Sequence, residues 1–153
     1  MKYVSGYYAM PLYVNDKSDM SSGIWNPEDG LYDNIKEKLY DTEGNPMGEY
    51  GIFPDEEVPG YTESFYVANH IRAYLDMIYY KEFDKLKDLY WEAINDMNML
   101  HIIFEKIFAY KLYEDVEVIK FLSDEFESLF RSYILTVGVD SLVKMIHPTI
   151  MED

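Results

Sequence analysis

Seven of the eight glycines and five of the six prolines lie before residue 62, so the chain has two conformational regimes. Backbone-permissive and backbone-fixing residues punctuate turns and exclude long helices, whereas their scarcity afterwards leaves room for helices. The first regime predicts strands and loops. Lys2–Val14 is rich in Tyr and Val but broken by Gly6 and Pro11, which fits one or two short strands. Leu31, Ile35 and Leu39 fall four apart, a helical spacing for Gly30–Tyr40. Asp41–Glu49 carries turn punctuation, Tyr50–Phe53 reads as a strand, and Pro54–Gly60 as an acidic linker.

From Glu63 the apolar period becomes helical. Val67, Ile71, Tyr74, Leu75 and Ile78 form one stripe, with Asn69, Arg72 and Asp76 opposite and Thr62 or Ser64 as the cap. Further helices are expected over Asp84–Asp96, Met99–Tyr110 and from Glu114 through Tyr133, ended by Gly138. A last short helix is capped by Asp140 and runs through Leu142, Val143 and Ile146. The expectation is an α+β fold: residues 1–62 as a Gly/Pro-rich strand-and-loop region whose small sheet packs on four or five helices of residues 63–153, together one compact domain.

Charge narrows the function. The formal net charge is −16 from 29 acidic and 13 basic residues, and −8 falls in each region. A surface that neutralised phosphates would carry the opposite sign, so direct nucleic-acid binding is not expected. No apolar run is long enough to span a membrane and the N-terminus lacks a signal-peptide pattern, so a cytoplasmic location is expected. With no cysteine, disulfides, thiolate metal sites and Cys nucleophiles are excluded.

Motifs for chemistry are absent in the same way. His70, His101 and His147 have no second His four residues away, and read as boundary or surface residues. Asp41, Glu43, Asn45 and Glu49 alternate like a calcium loop, but Pro46 stands where such a loop needs glycine and Ile52 where it needs a bidentate Glu. Phosphate-binding glycine loops and a serine nucleophile motif are missing too. No metal, no cofactor and no catalytic residue is therefore assigned, and the chain is read as a non-enzyme.

One segment stands apart, Val67–Asp76. Arg72 and Asp76 are one helical turn apart with Asn69 beside them, and arginine is scarce, Arg131 being the only other one. Two readings stay open: a solvent-facing ion pair worth about half a kcal/mol, or Asn69, His70, Arg72 and Asp76 as support for the N-terminal sheet or an alternative ligand site. Together with Val4–Ala9, Gly48–Ile52 and Phe104–Lys106, the string Tyr66–Asp76 resembles a family of small Firmicutes proteins found in chromosomes and mobile elements. The resemblance covers roughly residues 3–108 and implies a bacterial or phage origin; no mechanism comes with it.

The carboxylates gather beside aromatic rings: Asp55, Glu56 and Glu57 near Tyr61; Glu114, Asp115 and Glu117 near Tyr113; Asp124, Glu125 and Glu127 around Phe126. Clustered carboxylates can imitate phosphates, and 16 tyrosines favour an interface because the ring gives area at little entropy cost. In composition the chain is similar to DNA-mimic anti-restriction and anti-CRISPR proteins. The expected partner is a basic nucleic-acid-binding protein such as an RNA-guided CRISPR nuclease or a restriction enzyme. Alternatives are an antitoxin-like or host-factor partner, and an enzyme with an unrecognised carboxylate site.

Overall fold

The computed structural model describes residues 1–12, 14 and 27–137. Strand β1 (Lys2–Tyr3) pairs antiparallel with β2 (Tyr40–Asp41), placing Tyr3 opposite Tyr40. β3 (Ile52–Glu56) pairs antiparallel with β4 (Phe65–Ala68), Phe53 opposite Val67. Val4 joins the two ladders: its N–H donates to the Tyr66 carbonyl at 2.8 Å, and its carbonyl accepts from Ala68 at 2.9 Å. The first residues of the chain are thus stitched to the strand that leads into the helices. The β3–β4 hairpin itself straddles residue 62, where composition changes.

The α+β expectation holds, with five α-helices among the described residues following the strands: α1 (His70–Tyr79), α2 (Phe83–Leu86), α3 (Met97–Ala109), α4 (Val116–Phe126) and α5 (Ser128–Val137). None among the described residues is long and apolar enough to cross a membrane. α1 is the axis of the fold. Every residue from His70 to Ile78 is buried, with the Gly6–Ala9 turn, α2 and α3 packed around it. Below it, Phe104 meets Phe126 edge-on at 5.3 Å and Phe130 at 5.6 Å, and Tyr90 meets Phe126 at 5.3 Å. Rings in this geometry add modestly to what their burial contributes.

Several local expectations are corrected. Gly30–Tyr40 is not a helix: Asn34 takes φ 56°, and only the single 3-10 turn Ile35–Glu37 forms. Of the one or two short strands expected within Lys2–Val14, one forms among the described residues, Lys2–Tyr3, and the Gly6–Ala9 turn follows it. β3 begins two residues after Tyr50 and absorbs the start of the expected linker. Its ladder is interrupted between Phe53 and Glu56, where Pro54 has no N–H to give and Asp55 takes φ 58°. The first helix starts at His70 and not near Glu63, since Phe65–Ala68 is a strand, and Asn69 caps it in place of Thr62 or Ser64.

The Asp84–Asp96 helix is broken into α2 and a π turn at Tyr90–Ile94. Tertiary partners replace its ladder: Asp88 N–H donates to the Glu125 carboxylate at 2.7 Å and the Trp91 indole to the Glu125 carbonyl at 2.9 Å. The expected helix through Tyr133 is split by Glu127, at φ 46°, into α4 and α5. Asp140, Leu142, Val143, Ile146 and His147 lie outside the described residues.

Inside this core the Tyr74 hydroxyl is buried without a hydrogen-bond partner among the described residues. A buried hydroxyl left unpaired costs about 1–3 kcal/mol of desolvation. Tyr74→Phe is therefore expected to leave stability unchanged or raise it by about 1 kcal/mol. Urea unfolding measures it, and a loss above about 1 kcal/mol would mean the hydroxyl has a partner in solution.

Candidate functional site

The residues singled out on α1 do come together, but not at the surface. Arg72 and Asp76 are both 0% exposed, so the solvent-facing ion pair is overturned. Asn69 has extended backbone, and its side-chain oxygen accepts the Arg72 N–H at 2.8 Å, which starts the helix and fixes the Arg72 backbone. From there the guanidinium spreads in three directions. Nε donates to Asp76 Oδ1 at 3.0 Å. Nη1 faces three carbonyls of the 47–50 turn, Tyr50 at 2.6 Å, Gly48 at 2.7 Å and Met47 at 3.4 Å. Nη2 donates to the Tyr3 hydroxyl at 2.9 Å.

The Asp76 carboxylate is filled in turn. Oδ1 accepts from Arg72 and from Asn45 Nδ2 at 3.1 Å; Oδ2 accepts from Tyr3 at 2.7 Å and Ser5 Oγ at 2.6 Å. Four donors match the lone-pair capacity of an ionised carboxylate. Tyr3 stays protonated to donate, because burial, and then the adjacent Asp76 charge, push its pKa well up. A buried charge is tolerable when it is paired and hydrogen-bonded throughout, and this one is. The network therefore ties the N-terminal strand, the 45–50 turn and α1 to one point. No oxygen of Asp76 is left to hold a ligand.

Tyr3, Ser5 and Asn45 are the members that sequence reasoning missed. They lie 73, 71 and 31 residues from Asp76, and no spacing rule connects them. His70 also departs from expectation: it is buried, not a boundary or surface residue, with Nε2 3.3 Å from the Leu12 carbonyl. Burial holds its pKa below the usual imidazole value. His101 is exposed beside the Tyr133 ring.

The fold also sorts the clustered carboxylates. Asp55 and Glu57 are exposed, but Glu56 between them is 7% exposed and turned into the protein, so it cannot meet a partner. Tyr61 is half-buried and its hydroxyl is committed, donating to the Tyr32 carbonyl at 2.9 Å and accepting the Ile35 N–H at 3.2 Å. It pins the loop through its hydroxyl.

At the head of α4, Asp115 caps the helix through the Glu117 N–H at 2.9 Å and pairs with Lys81 at 2.8 Å, which lowers its pKa. Glu117 is 3.5 Å from the same lysine, and Glu114 is exposed. Tyr113 is half-buried against the Phe108 ring at 5.4 Å. At the far end Asp124 and Glu127 are exposed, while Glu125 serves the 88–91 turn, its pKa raised by burial.

Six of the expected contact carboxylates thus remain at the surface: Asp55, Glu57, Glu114, Glu117, Asp124 and Glu127. On α4, Glu117 and Asp124 are seven residues apart and share a face, about 10.5 Å along the axis with Lys120 between them. No family model, curated protein or solved structure matches this chain.

Proposed function

We propose that the protein is an acidic binding protein that inhibits a nucleic-acid enzyme of bacterial defence, of the anti-CRISPR or anti-restriction kind, by occupying its basic groove. The observation that carries this reading is where the charge lies. Arg72 and Asp76 cancel inside the core, so the whole formal −16 belongs to the rest of the molecule. On α4, Glu117 and Asp124 span the rise of about three nucleotides of one DNA strand. A carboxylate surface on a scaffold braced from within suits a groove lined with Lys and Arg, where complementary charge speeds encounter.

The test is competition. A panel of RNA-guided nucleases and restriction enzymes is assayed for release of bound duplex DNA as the protein is added. Displacement from at least one enzyme, weakening with salt, is the expected result. Reversing Asp124 and Glu127 to Lys, or Asp55 and Glu57, is expected to slow association roughly tenfold at low salt and leave melting unchanged. Wild-type association by both reversal variants would sink the mimic reading.

A further inference from the structure

Two lysines on this surface meet carboxylates, Lys36 with Glu63 and Lys81 with Asp115. Lys38 and Lys85 do not: neither is in ion-pair contact with a carboxylate among the described residues. Both instead stand over one ring. Each Nζ is 5.6 Å from the centre of Tyr8, which puts the two ammonium groups no more than about twice that distance apart. They arrive from separate segments. Lys38 follows the Ile35–Glu37 turn, Lys85 lies on α2, and Tyr8 belongs to the Gly6–Ala9 turn. On a molecule of charge −16, two cations over one ring gather positive charge at one point, and the charge of Lys85 is felt by the Glu82 carboxylate nearby.

They border a wide-open cleft of about 500 Å³, whose lining also includes Asp41. Its other walls are chemically distinct. Tyr40 and Glu82 meet there, the Tyr40 hydroxyl 2.8 Å from both carboxylate oxygens. Burial raises the pKa of Tyr40, which keeps its proton and donates, and burial raises that of Glu82 as well. One hydroxyl proton cannot fill a carboxylate's acceptor sites, so Glu82 retains capacity for a further donor. Tyr80 stands beside it, 42% exposed and edge-on to Tyr40 at 5.6 Å, presenting ring surface to an incoming flat group.

We propose that this cleft binds a nucleoside phosphate. Lys38 and Lys85 take the phosphoryl oxygens as paired point charges, the base lies against Tyr80, and a base amino group or ribose hydroxyl donates to Glu82. A multiply charged anion is the ligand that two neighbouring ammonium groups favour. The ring and carboxylate beside them select one carrying a flat, hydrogen-bonding body. This site is independent of the acidic surface, and either reading can fail alone.

The experiment is an amide NMR titration of the full chain with ADP, pyrophosphate and adenosine at about 150 mM salt. ADP is expected to shift Tyr8, Lys38, Glu82 and Lys85 saturably with Kd below about 1 mM, and each fragment alone to bind at least roughly tenfold more weakly. The Lys38→Met/Lys85→Met pair is expected to weaken ADP by tenfold or more, roughly, and Lys120→Met by less than about twofold. Both target lysines are exposed, so folding is not at stake. Tyr80→Ala is the second variant, expected to weaken ADP but not pyrophosphate. No saturable shift with ADP up to about 5 mM overturns the site. So does pyrophosphate binding as tightly as ADP, or equal losses from Lys120→Met and the lysine pair.

Discussion

Arg72→Met is expected to destabilise the protein by about 3–5 kcal/mol, the cost of stranding one half of a buried ion pair. Asp76 would keep Tyr3, Ser5 and Asn45 as donors but lose the one cation it meets among the described residues. The Gly48 and Tyr50 carbonyls would lose their hydrogen bonds to Nη1 as well. For a chain of this length each kcal/mol moves Tm by about 2–4 °C, so a fall of roughly 6–20 °C is the readout. Removing both charges separates pairing from packing. Arg72→Met/Asp76→Leu is expected to recover part of the loss, because no uncompensated charge stays in the core. If Arg72→Met costs less than about 1 kcal/mol, the guanidinium is not the tie between the strands, the turn and α1.

The same residues show what a sequence can disclose. Arg72 and Asp76 at i and i+4 are readable as a pair, and Asn69 three residues before Arg72 is readable as a cap. Their burial is not, because helical periodicity treats a polar stripe as a wet one. It was wrong here because the polar atoms satisfy each other through Tyr3, Ser5 and Asn45, brought in by tertiary structure. α3 was legible within two residues of its start, since Leu100, Ile103, Phe104 and Ile107 fall on one face and Asp96 caps it through Asn98 and Met99. β4 was hidden because Val67 sits four before Ile71 and fitted the helical stripe.

Scarce glycine after residue 62 suggested unbroken helices, yet the chain turns there with Lys81, Asp88, Asn95, Lys111 and Glu127 at positive φ. Left-handed backbone costs a non-glycine residue roughly 1–2 kcal/mol. Tertiary contacts offset that cost at Asp88, whose N–H reaches Glu125, and no local signal announces it. The surface clusters were legible as charge but not as availability. Glu56, Asp115 and Glu125 are spent on the fold; of these only Asp115, standing ahead of Val116 and Glu117, had the sequence signature of a helix cap.

Gly51→Ala is expected to be the other severe substitution, at about 2–4 kcal/mol, combining left-handed strain with overpacking. Gly51 takes φ 72° at the end of the turn whose carbonyls face Arg72, and its own carbonyl accepts the Asn69 N–H at 2.8 Å. An added Cβ would lie 2.7 Å from Arg72 Cβ and 3.0 Å from Asn69 Oδ1. Neither neighbour can retreat cheaply: one is fixed to the α1 backbone, and the other is holding the helix cap. The nearby Gly48 is a control, with φ 52° but nothing within 4 Å of its would-be Cβ. Gly48→Ala should therefore show the conformational term alone, about 1 kcal/mol. Urea melts of the two variants measure the difference. Equal losses would mean that the approach of the turn to α1 is loose, and that the Arg72 carbonyl cradle does not depend on a glycine at position 51.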